Sequence, residues 1–300
     1  MRIFACVAIG ASACVAGCGH GPGSERGLAE LRAAPLYTFS ETEIDAYLGW
    51  LHAAHPGGLD RVALLGRQNV GQPYRLFLLG EGPFELHDPD PLYCLSASDC
   101  VTFVEHTYAM ALASDWRSFF RTLQRIRYRD GEIGMLTRNH FTEADWNVNN
   151  GWLFEDVTSR LAPGLEKAMR VSIGRSAFFA KYGLEVDGPQ EAFETTYIPG
   201  ASLEAMLPRL QDGDVVEIVR GGSESPYVGH MGLILHSADG RVTILHSAAP
   251  VVREEPFLDY VGQYPDFVGA KFLRMWDPAE GRPARAGTHS RGARRRNFSR

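Results

Sequence analysis

The segment after Ala97 places a thiol where a helix is expected to begin. Ser98 and Asp99 are residues that commonly cap helices, and Cys100 would then lie in the first turn. A thiol there faces the positive end of the helix dipole, which favours the thiolate, the nucleophilic form. The alternative is a small buried Cys without a chemical role. The pattern makes Cys100 a candidate nucleophile.

Two histidines occupy the outer ends of a predicted hairpin. His230 opens a strand flanked by glycines, Asp239-Gly240 signals the turn, and the returning strand reaches His246. On adjacent strands the two rings can lie side by side, so that one accepts a thiol proton while the other orients it. His236 is next to the turn and is expected to be exposed. We expect the remaining histidines to be surface or tether residues: His20, His52, His55, His87, His106.

The elements around these residues follow an α+β order. Ser40 begins a capping-box pattern, and apolar residues then recur at helical spacing. Helices are predicted near 41–54, 59–70, 100–111 and 115–128, and strands near 215–219, 231–235, 242–245 and 267–274. Helices first and antiparallel strands second is the pattern of an α+β domain, with the nucleophile at a helix start packed on the sheet.

The N-terminus has the features of an export signal. Ile3 to Val15 is an apolar run of signal-peptide length, and Val15-Ala16-Gly17-Cys18 resembles a bacterial lipobox. That pattern predicts a signal at 1–17, lipidation of Cys18 and a tether at 18–36; the alternative is an ordinary secretory signal. Gly19, where Asp would signal retention in the inner membrane, favours the outer membrane. The expected location is the cell envelope, on the periplasmic face of the outer membrane.

Charge is unevenly distributed along the chain. The formal net charge is −6, yet residues 281–300 hold seven Arg and no acid. Without these residues and Arg2, the chain has 22 basic and 36 acidic residues, a net of −14. An acidic body argues against a nucleic-acid enzyme. The tail at 279–300 is expected to be disordered, in contact either with solvent alone or with anionic lipid or wall polymer.

Metal and cofactor chemistry have no clear sequence signal. C-x-x-C, H-E-x-x-H and calcium-loop spacings are absent, as are G-x-S-x-G and a phosphate loop. No metal or cofactor is therefore expected. Cys94 is the remaining partner with which Cys100 could form a disulfide, but such a bridge would close only a small loop. We expect Cys100 to be a free, reactive thiol.

The order of these pieces resembles a known family. A Cys at a helix start, followed by two histidines on an antiparallel sheet, is similar to the circularly permuted papain-like order of NlpC-type cell-wall hydrolases. Within them the chain resembles the N-acetylmuramoyl-L-alanine amidase-like branch. The matching stretches are Gly71-Gln72-Pro73-Tyr74, Asp99 to Glu105, Arg127 to Ile133, Tyr197-Ile198-Pro199, Gly213 to Val216, Gly229 to Gly232 and Leu245 to Ala248.

The resemblance implies roles for the matching positions. Cys100 would be the nucleophile, His230 the general base and His246 the orienting residue. Tyr74 would help the Cys100 backbone N–H stabilise the oxyanion, or would simply be a core aromatic. Ser98 departs from the family, which usually has a bulky apolar residue there.

A loop-rich insert near 129–200 also resembles this branch. His140 and Trp146, together with Asn139, are expected to bind substrate; the alternative is a well-packed insert. The amidase domain is expected to span 37–278.

The resemblance implies hydrolysis of an amide in peptidoglycan or muropeptides, at the bond between N-acetylmuramic acid and L-alanine. Two alternatives remain open, because both use the same residues: cleavage of the D-glutamyl–diamino acid bond, and acyl transfer. A catalytically silent wall-binding lipoprotein is disfavoured by the intact set of reactive residues. The expected partners are peptidoglycan and, through a lipid anchor, the membrane.

Overall fold

The computed structural model describes residues 26–222 and 225–276. Its helices are α1 (Leu28–Ala33), α2 (Glu41–Ala54), α3 (Gly58–Gln68), α4 (Cys100–Ala111), α5 (Trp116–Arg127), α6 (Asn147–Asn149), α7 (Thr158–Leu161), α8 (Arg175–Phe179), α9 (Leu203–Met206) and α10 (Phe257–Gly262). A π-helical turn, Thr142–Trp146, precedes α6. Cys18 and the tail from 279 lie outside the described residues.

Antiparallel strands form a single sheet in the described chain. They are β1 (Phe154–Asp156), β2 (Lys167–Ile173), β3 (Glu191–Pro199), β4 (Val215–Arg220), β5 (Tyr227–His236), β6 (Val242–Ala248), β7 (Val251–Pro256) and β8 (Phe267–Met275). Their order is β2-β3-β8-β4-β5-β6-β7, and β1 also pairs with β8. The α+β prediction, with helices against an antiparallel sheet, is confirmed.

Side chains alternate between the two faces of the sheet and fill two separate cores. The first core, between the sheet and α2 to α5, includes Phe103, Met231, Leu233 and Leu245. The second core, on the opposite face, is closed by α10 and includes Ile218, Ile234, Ile244, Phe257 and Tyr260. Each fully buried apolar side chain contributes about 1.5–3 kcal/mol to folding. The sheet is therefore fixed from both sides.

Side-chain caps are present at three helix starts, and those at α2 and α4 were predicted from the sequence. Ser40 accepts from the Glu43 N–H at α2, Asp99 from the Thr102 N–H at α4, and Asp115 from that of Ser118 at α5. These bonds satisfy backbone donors that a helix start leaves free. The start of α4 at Cys100 is thus determined locally by Asp99.

The insert contains more regular structure than the sequence suggests. β2 and β3 form an antiparallel pair over seven residues each. β3 also pairs with β8, which joins this pair to the rest of the sheet. Met169, Val171 and Ile173 alternate along β2, but this apolar face is short, and β3 is rich in Glu and Thr, so neither strand is predicted from the sequence. Among the helices of the described residues, none has the length and apolarity needed to cross a membrane.

Candidate active site

Cys100 is the first residue of α4, and its sulfur faces the edge of β5. The side chain is partly buried and packs against the first core. The backbone N–H groups of Met231, Val101 and Cys100 itself lie near the sulfur and favour its anionic form. Since Met231 follows His230 directly, the sulfur lies beside the strand that carries this histidine.

Divergence of β5 from β6 leaves the Met231 N–H free to face the sulfur. The Ile234 N–H donates to Asp214 O at the start of β4, so the alternate residues Leu233 and Met231 turn their N–H groups towards β6. The β5–β6 ladder ends at the Leu233–Leu245 pair. Met231 therefore has no strand partner on that side, and Cys100 occupies the gap.

The expectation that the helix start favours a thiolate is corrected by the environment of the thiol. Burial, with a further contribution from the nearby carboxylate of Asp99, raises the pKa of Cys100 to about 11. The surrounding N–H groups lower the pKa by less than burial raises it. At neutral pH the resting group is a thiol, and its proton must leave as it reacts.

A hydrogen-bonded chain connects His230 to a carboxylate. His230 Nε2 lies 2.7 Å from His246 Nδ1, and His246 Nε2 lies 2.9 Å from Glu255 Oε1. Glu255 also accepts from Arg253 Nε at 2.7 Å. The side-by-side placement of the two histidines, predicted from the hairpin, is confirmed by the first of these distances.

The direction of this chain follows from what each atom can donate. Glu255 accepts as a carboxylate, so His246 Nε2 carries a hydrogen. In neutral His246, Nδ1 then accepts, and His230 Nε2 must be the donor. His230 Nδ1 is left with the lone pair. The hydrogen bonds of the described residues include none between Cys100 Sγ and the His230 ring, as is common before substrate binds.

Both histidines are held neutral. Burial lowers the pKa of His230 well below 6.5, and the neighbouring His246 and the charged Arg220 and Arg253 act in the same direction. Burial, with Arg253 nearby, lowers the pKa of His246 to about 3. Neutral imidazole is the form that can accept a proton.

Tyr74 lies near the nucleophile. Its backbone N–H donates to Pro250 O, and the next residue bonds to Ser98 O, so that the Tyr74 loop runs beside the start of α4. Burial raises the pKa of the Tyr74 hydroxyl above 10, and the nearby Cys100 and Asp99 act in the same direction. The hydroxyl therefore remains a hydrogen donor close to the sulfur.

A polar network joins the Cys100 loop to the His246 strand. The Ser98 hydroxyl lies 2.7 Å from Gln72 Oε1 and 3.0 Å from the Ser247 hydroxyl, which lies 2.9 Å from Ser98 O. Gln72 donates in turn to Leu95 O at 2.7 Å. All these partners are buried. Ser98 thus ties α4 to β6 by hydrogen bonds.

Asn139, one of the three predicted substrate-binding residues in the insert, lies in a cavity next to the start of α4. It lines a cavity of about 130 Å³ with Asp99 and Val101, the two neighbours of Cys100. Its own amide is engaged, however, donating to Ile126 O at 2.8 Å.

His140 and Trp146 have packing partners of their own. Trp146 is 2% exposed, stacks on Phe154 and donates to Glu105 at 2.9 Å. His140 bonds to Met135 O at 2.7 Å and packs against Phe178 and Phe179. The structure does not bring Trp146 to a surface where a ligand could touch it, because its ring completes the first core.

Sequence reasoning missed Glu255 and misjudged His106. Glu255 lies on β7, whose sequence Val-Val-Arg-Glu-Glu-Pro has too many charges to be predicted as a strand. Glu255 could have been found only by knowing that β7 pairs with β6, the strand that carries His246. His106 was expected on the surface but is 7% exposed. Its Nδ1 lies 2.7 Å from Thr102 O, the usual helical partner four residues back, and burial lowers its pKa to about 4.

Within the described residues no cluster of three or more His, Cys, Asp or Glu has the spacing of a metal site. Cys94 and Cys100 are both free thiols. The disulfide alternative is therefore absent from this conformation.

The family follows from a direct comparison of sequences. A family model described as AmiA-like, N-acetylmuramoyl-L-alanine amidase-like, matches residues 64–268, more than half of the chain. The chain belongs to this family. The match spans Tyr74, Cys100, His230, His246 and Glu255. No curated protein matched the chain.

Two solved structures are similar to this chain in fold. An N-acetylmuramoyl-L-alanine amidase from Bacteroides uniformis is 27% identical, with a TM-score of 0.61, over 73% of this chain and 99% of that one. A Legionella pneumophila protein of the DUF1460 family is 20% identical, with a TM-score of 0.69, over 79% and 94% of the two chains. The second likeness is one of fold alone. Both relatives are covered almost completely by the amidase-like chain.

Proposed function

We propose that this amidase-like protein hydrolyses the amide between N-acetylmuramic acid and L-alanine in peptidoglycan or muropeptides, with Cys100 as nucleophile and His230 as general base. The observation that carries the proposal is the chain from Glu255 through His246 to His230. It leaves the His230 Nδ1 lone pair on a strand that passes beside the Cys100 sulfur.

The first half of the reaction forms an acyl-enzyme. His230 Nδ1 takes the thiol proton as Cys100 Sγ attacks the carbonyl carbon, because a thiol with a raised pKa cannot wait as a thiolate. The carbonyl oxygen becomes an oxyanion, which the Cys100 N–H and the Tyr74 hydroxyl stabilise. Each such donor contributes about 3 kcal/mol in comparable sites. The C–N bond then breaks as His230 protonates the leaving amine.

The second half releases the acyl group. His230, neutral again, accepts a proton from water as the water oxygen attacks the thioester carbon. The C–S bond breaks and the thiolate recovers the proton. Throughout, His246 keeps the His230 ring oriented, and Glu255 stabilises the positive charge that passes through the pair.

The same residues would support two other reactions. Cleavage of the D-glutamyl–diamino acid bond needs identical acyl-transfer chemistry, and transfer of the acyl group to an amine differs only in the acceptor. The family and the Bacteroides uniformis relative favour the muramoyl–alanine bond. A circularly permuted papain-like, NlpC-type descent would account for the order of Cys, His and His along the chain.

The proposed domain and location follow the sequence expectations. An amidase domain at 37–278 would be held in the cell envelope by lipid on Cys18, through the tether at 18–36, at the periplasmic face of the outer membrane. Substrate contacts from Asn139 and His140 remain part of this proposal; Trp146 would then act by packing beneath α4.

The decisive experiment is a mass-spectrometric digest of purified muropeptides by the chain without residues 1–17. We expect free stem peptide beginning with L-alanine from the unaltered protein and none from Cys100→Ala. Cys94→Ala is the matched control, a second buried thiol that should retain activity. Cleavage after D-glutamate would replace the proposed bond with the endopeptidase bond. Equal products from the unaltered protein and Cys100→Ala would rule out the cysteine mechanism.

A further inference from the structure

Arg220 ends β4 on the sheet face that carries His230. Its charge acts on the His230 ring, and its guanidinium lies 4.0 Å from the ring centroid of Tyr264. Nη2 lies 3.5 Å from the hydroxyl of Tyr260, the ring that packs on His246. Gly229 leaves room for the Arg220 stem, since a Cβ there would lie 3.0 Å from Arg220 Cδ.

The charge of Arg220 is not balanced within the described residues. No carboxylate there forms an ion pair with it, whereas Arg253, whose charge also acts on His230, is paired with Glu255, and Arg138 is paired with Glu81. Arg220 Nε is buried and has no hydrogen-bond partner. An unsatisfied buried donor destabilises the fold, and more strongly when it is charged. Such a group next to a reactive histidine is suited to binding an anion.

We propose that Arg220 binds a carboxylate of the leaving peptide. The inference rests on the proposed function, in which His230 protonates the leaving amine. The leaving peptide must then lie on the His230 side of the bond, where Arg220 is. Since the carboxyl group of the first alanine is itself in an amide, the ligand is the first free carboxylate beyond that alanine.

Binding there would also assist the base. Positive charge near His230 opposes its protonation, and Arg253 is already neutralised by Glu255. A carboxylate on Arg220 removes the remaining unpaired charge at the moment when substrate is bound. A single contact with Arg220 would therefore select a peptide with a free carboxylate and make His230 easier to protonate.

The test compares two muropeptides that differ only in this group, one with the free carboxylate and one with its primary amide. We expect the unaltered protein to prefer the free acid by about tenfold in kcat/KM, the factor that one charge-assisted contact commonly provides. In Arg220→Gln the preference should fall close to one. Arg220→Lys should recover part of it, because the charge remains but not the planar guanidinium. Exposed Arg170→Gln is the control and should keep the full preference.

Two further results separate this site from the function on which it rests. The peptides are also titrated by calorimetry into Cys100→Ala, with and without Arg220→Gln. Arg220-dependent binding of the acid form, together with no hydrolysis by the unaltered protein, would support the carboxylate site and overturn the proposed function. Equal losses for acid and amide in Arg220→Gln would overturn the carboxylate site, since Arg220 would then act only through His230.

Discussion

At the scale of single residues, Glu255 determines which nitrogen of His230 is available. Its carboxylate accepts from His246, and this directs the donors along both rings. Two buried neutral histidines have four possible tautomer combinations, of which only one leaves His230 Nδ1 as a base within this chain. Glu255 therefore sets the orientation of both histidine rings and the position of their protons, without touching the sulfur itself.

We expect Glu255→Ala to lower kcat by about tenfold to a hundredfold with little change in KM, as loss of an orienting partner commonly does. The measurement is steady-state kinetics with muropeptide, paired with ¹⁵N NMR of the ring nitrogens to report the tautomer of His246. Glu254→Ala is the matched control: it is next in sequence, but its partners are Arg67 and Thr243. An unchanged kcat and unchanged ring signals in Glu255→Ala would contradict the assigned role.

The residues with reactive side chains could be predicted from sequence, whereas their surroundings could not. Cys100, His230 and His246 stand out by type and by position within a helix start and a hairpin. Glu255 required knowledge of which strand lies beyond β6. Trp146 was misinterpreted because an aromatic residue in an insert has the same sequence signal whether it packs inward or outward.

At the scale of elements, the start of α4 combines a stabilising contact with an unfavourable charge. The Asp99 side chain caps the helix by accepting from the Thr102 N–H at 2.8 Å. The same carboxylate raises the pKa of Cys100. The two effects separate in substitution, because Asn caps a helix about as well as Asp but carries no charge.

Asp99→Asn should therefore lower the pKa of Cys100 from about 11 while stability is kept. Alkylation of the thiol by iodoacetamide at pH 8 should become faster, by about threefold or more, because the thiolate is the reacting form. Asp99→Ala should show the same faster alkylation but lose about 1 kcal/mol of stability with the cap. Slower or unchanged alkylation in Asp99→Asn would mean that Asp99 does not act on the sulfur.

Element prediction succeeded where the apolar period is strong. The bounds of α2, α4 and α5 differ from expectation by one residue or none, since each has a capping side chain and an apolar face. The strands β2, β3 and β7 were missed, because the apolar face of β2 is only three residues long and β3 and β7 are rich in Glu and other polar residues. Tertiary pairing with β8 and β6 stabilises them instead.

At the scale of the whole molecule, buried ionisable groups make stability depend on pH in two opposing ways. His106 and His140 have pKa values of about 4 in the fold, because both are buried. The unfolded chain binds their protons below about 6.5, so their contribution is lost as pH falls from 6.5 to 4. Glu105 and Glu217 have pKa values of about 7, because both are buried. Their contribution to stability is lost as pH rises from 4.5 to 7, because the unfolded chain then releases their protons first.

The histidines should dominate on the acid side, since His230 and His246 are also held neutral by burial. We expect the midpoint of thermal unfolding to be highest near pH 6.5 and to fall steadily towards pH 4.5. Differential scanning calorimetry across this range measures it. Glu217→Gln, which mimics the protonated acid, should flatten the decline above pH 6.5. A midpoint that is higher at pH 4.5 than at pH 6.5 would contradict the assignment.

The gap between β5 and β6 separates the surroundings of the nucleophile from those of the base, so the two can evolve independently. Cys100 belongs to the core built by α2 to α5, whereas His230 and His246 pack on Tyr260 of α10 in the other core. Substitutions around α10 can alter the environment of His230 without disturbing the packing of Cys100. Substitutions in α2 to α5 can likewise alter the environment of Cys100 without disturbing the two histidines. A mutational library divided along the sheet should therefore yield two nearly independent sets of tolerated variants, coupled through the few residues lining that gap.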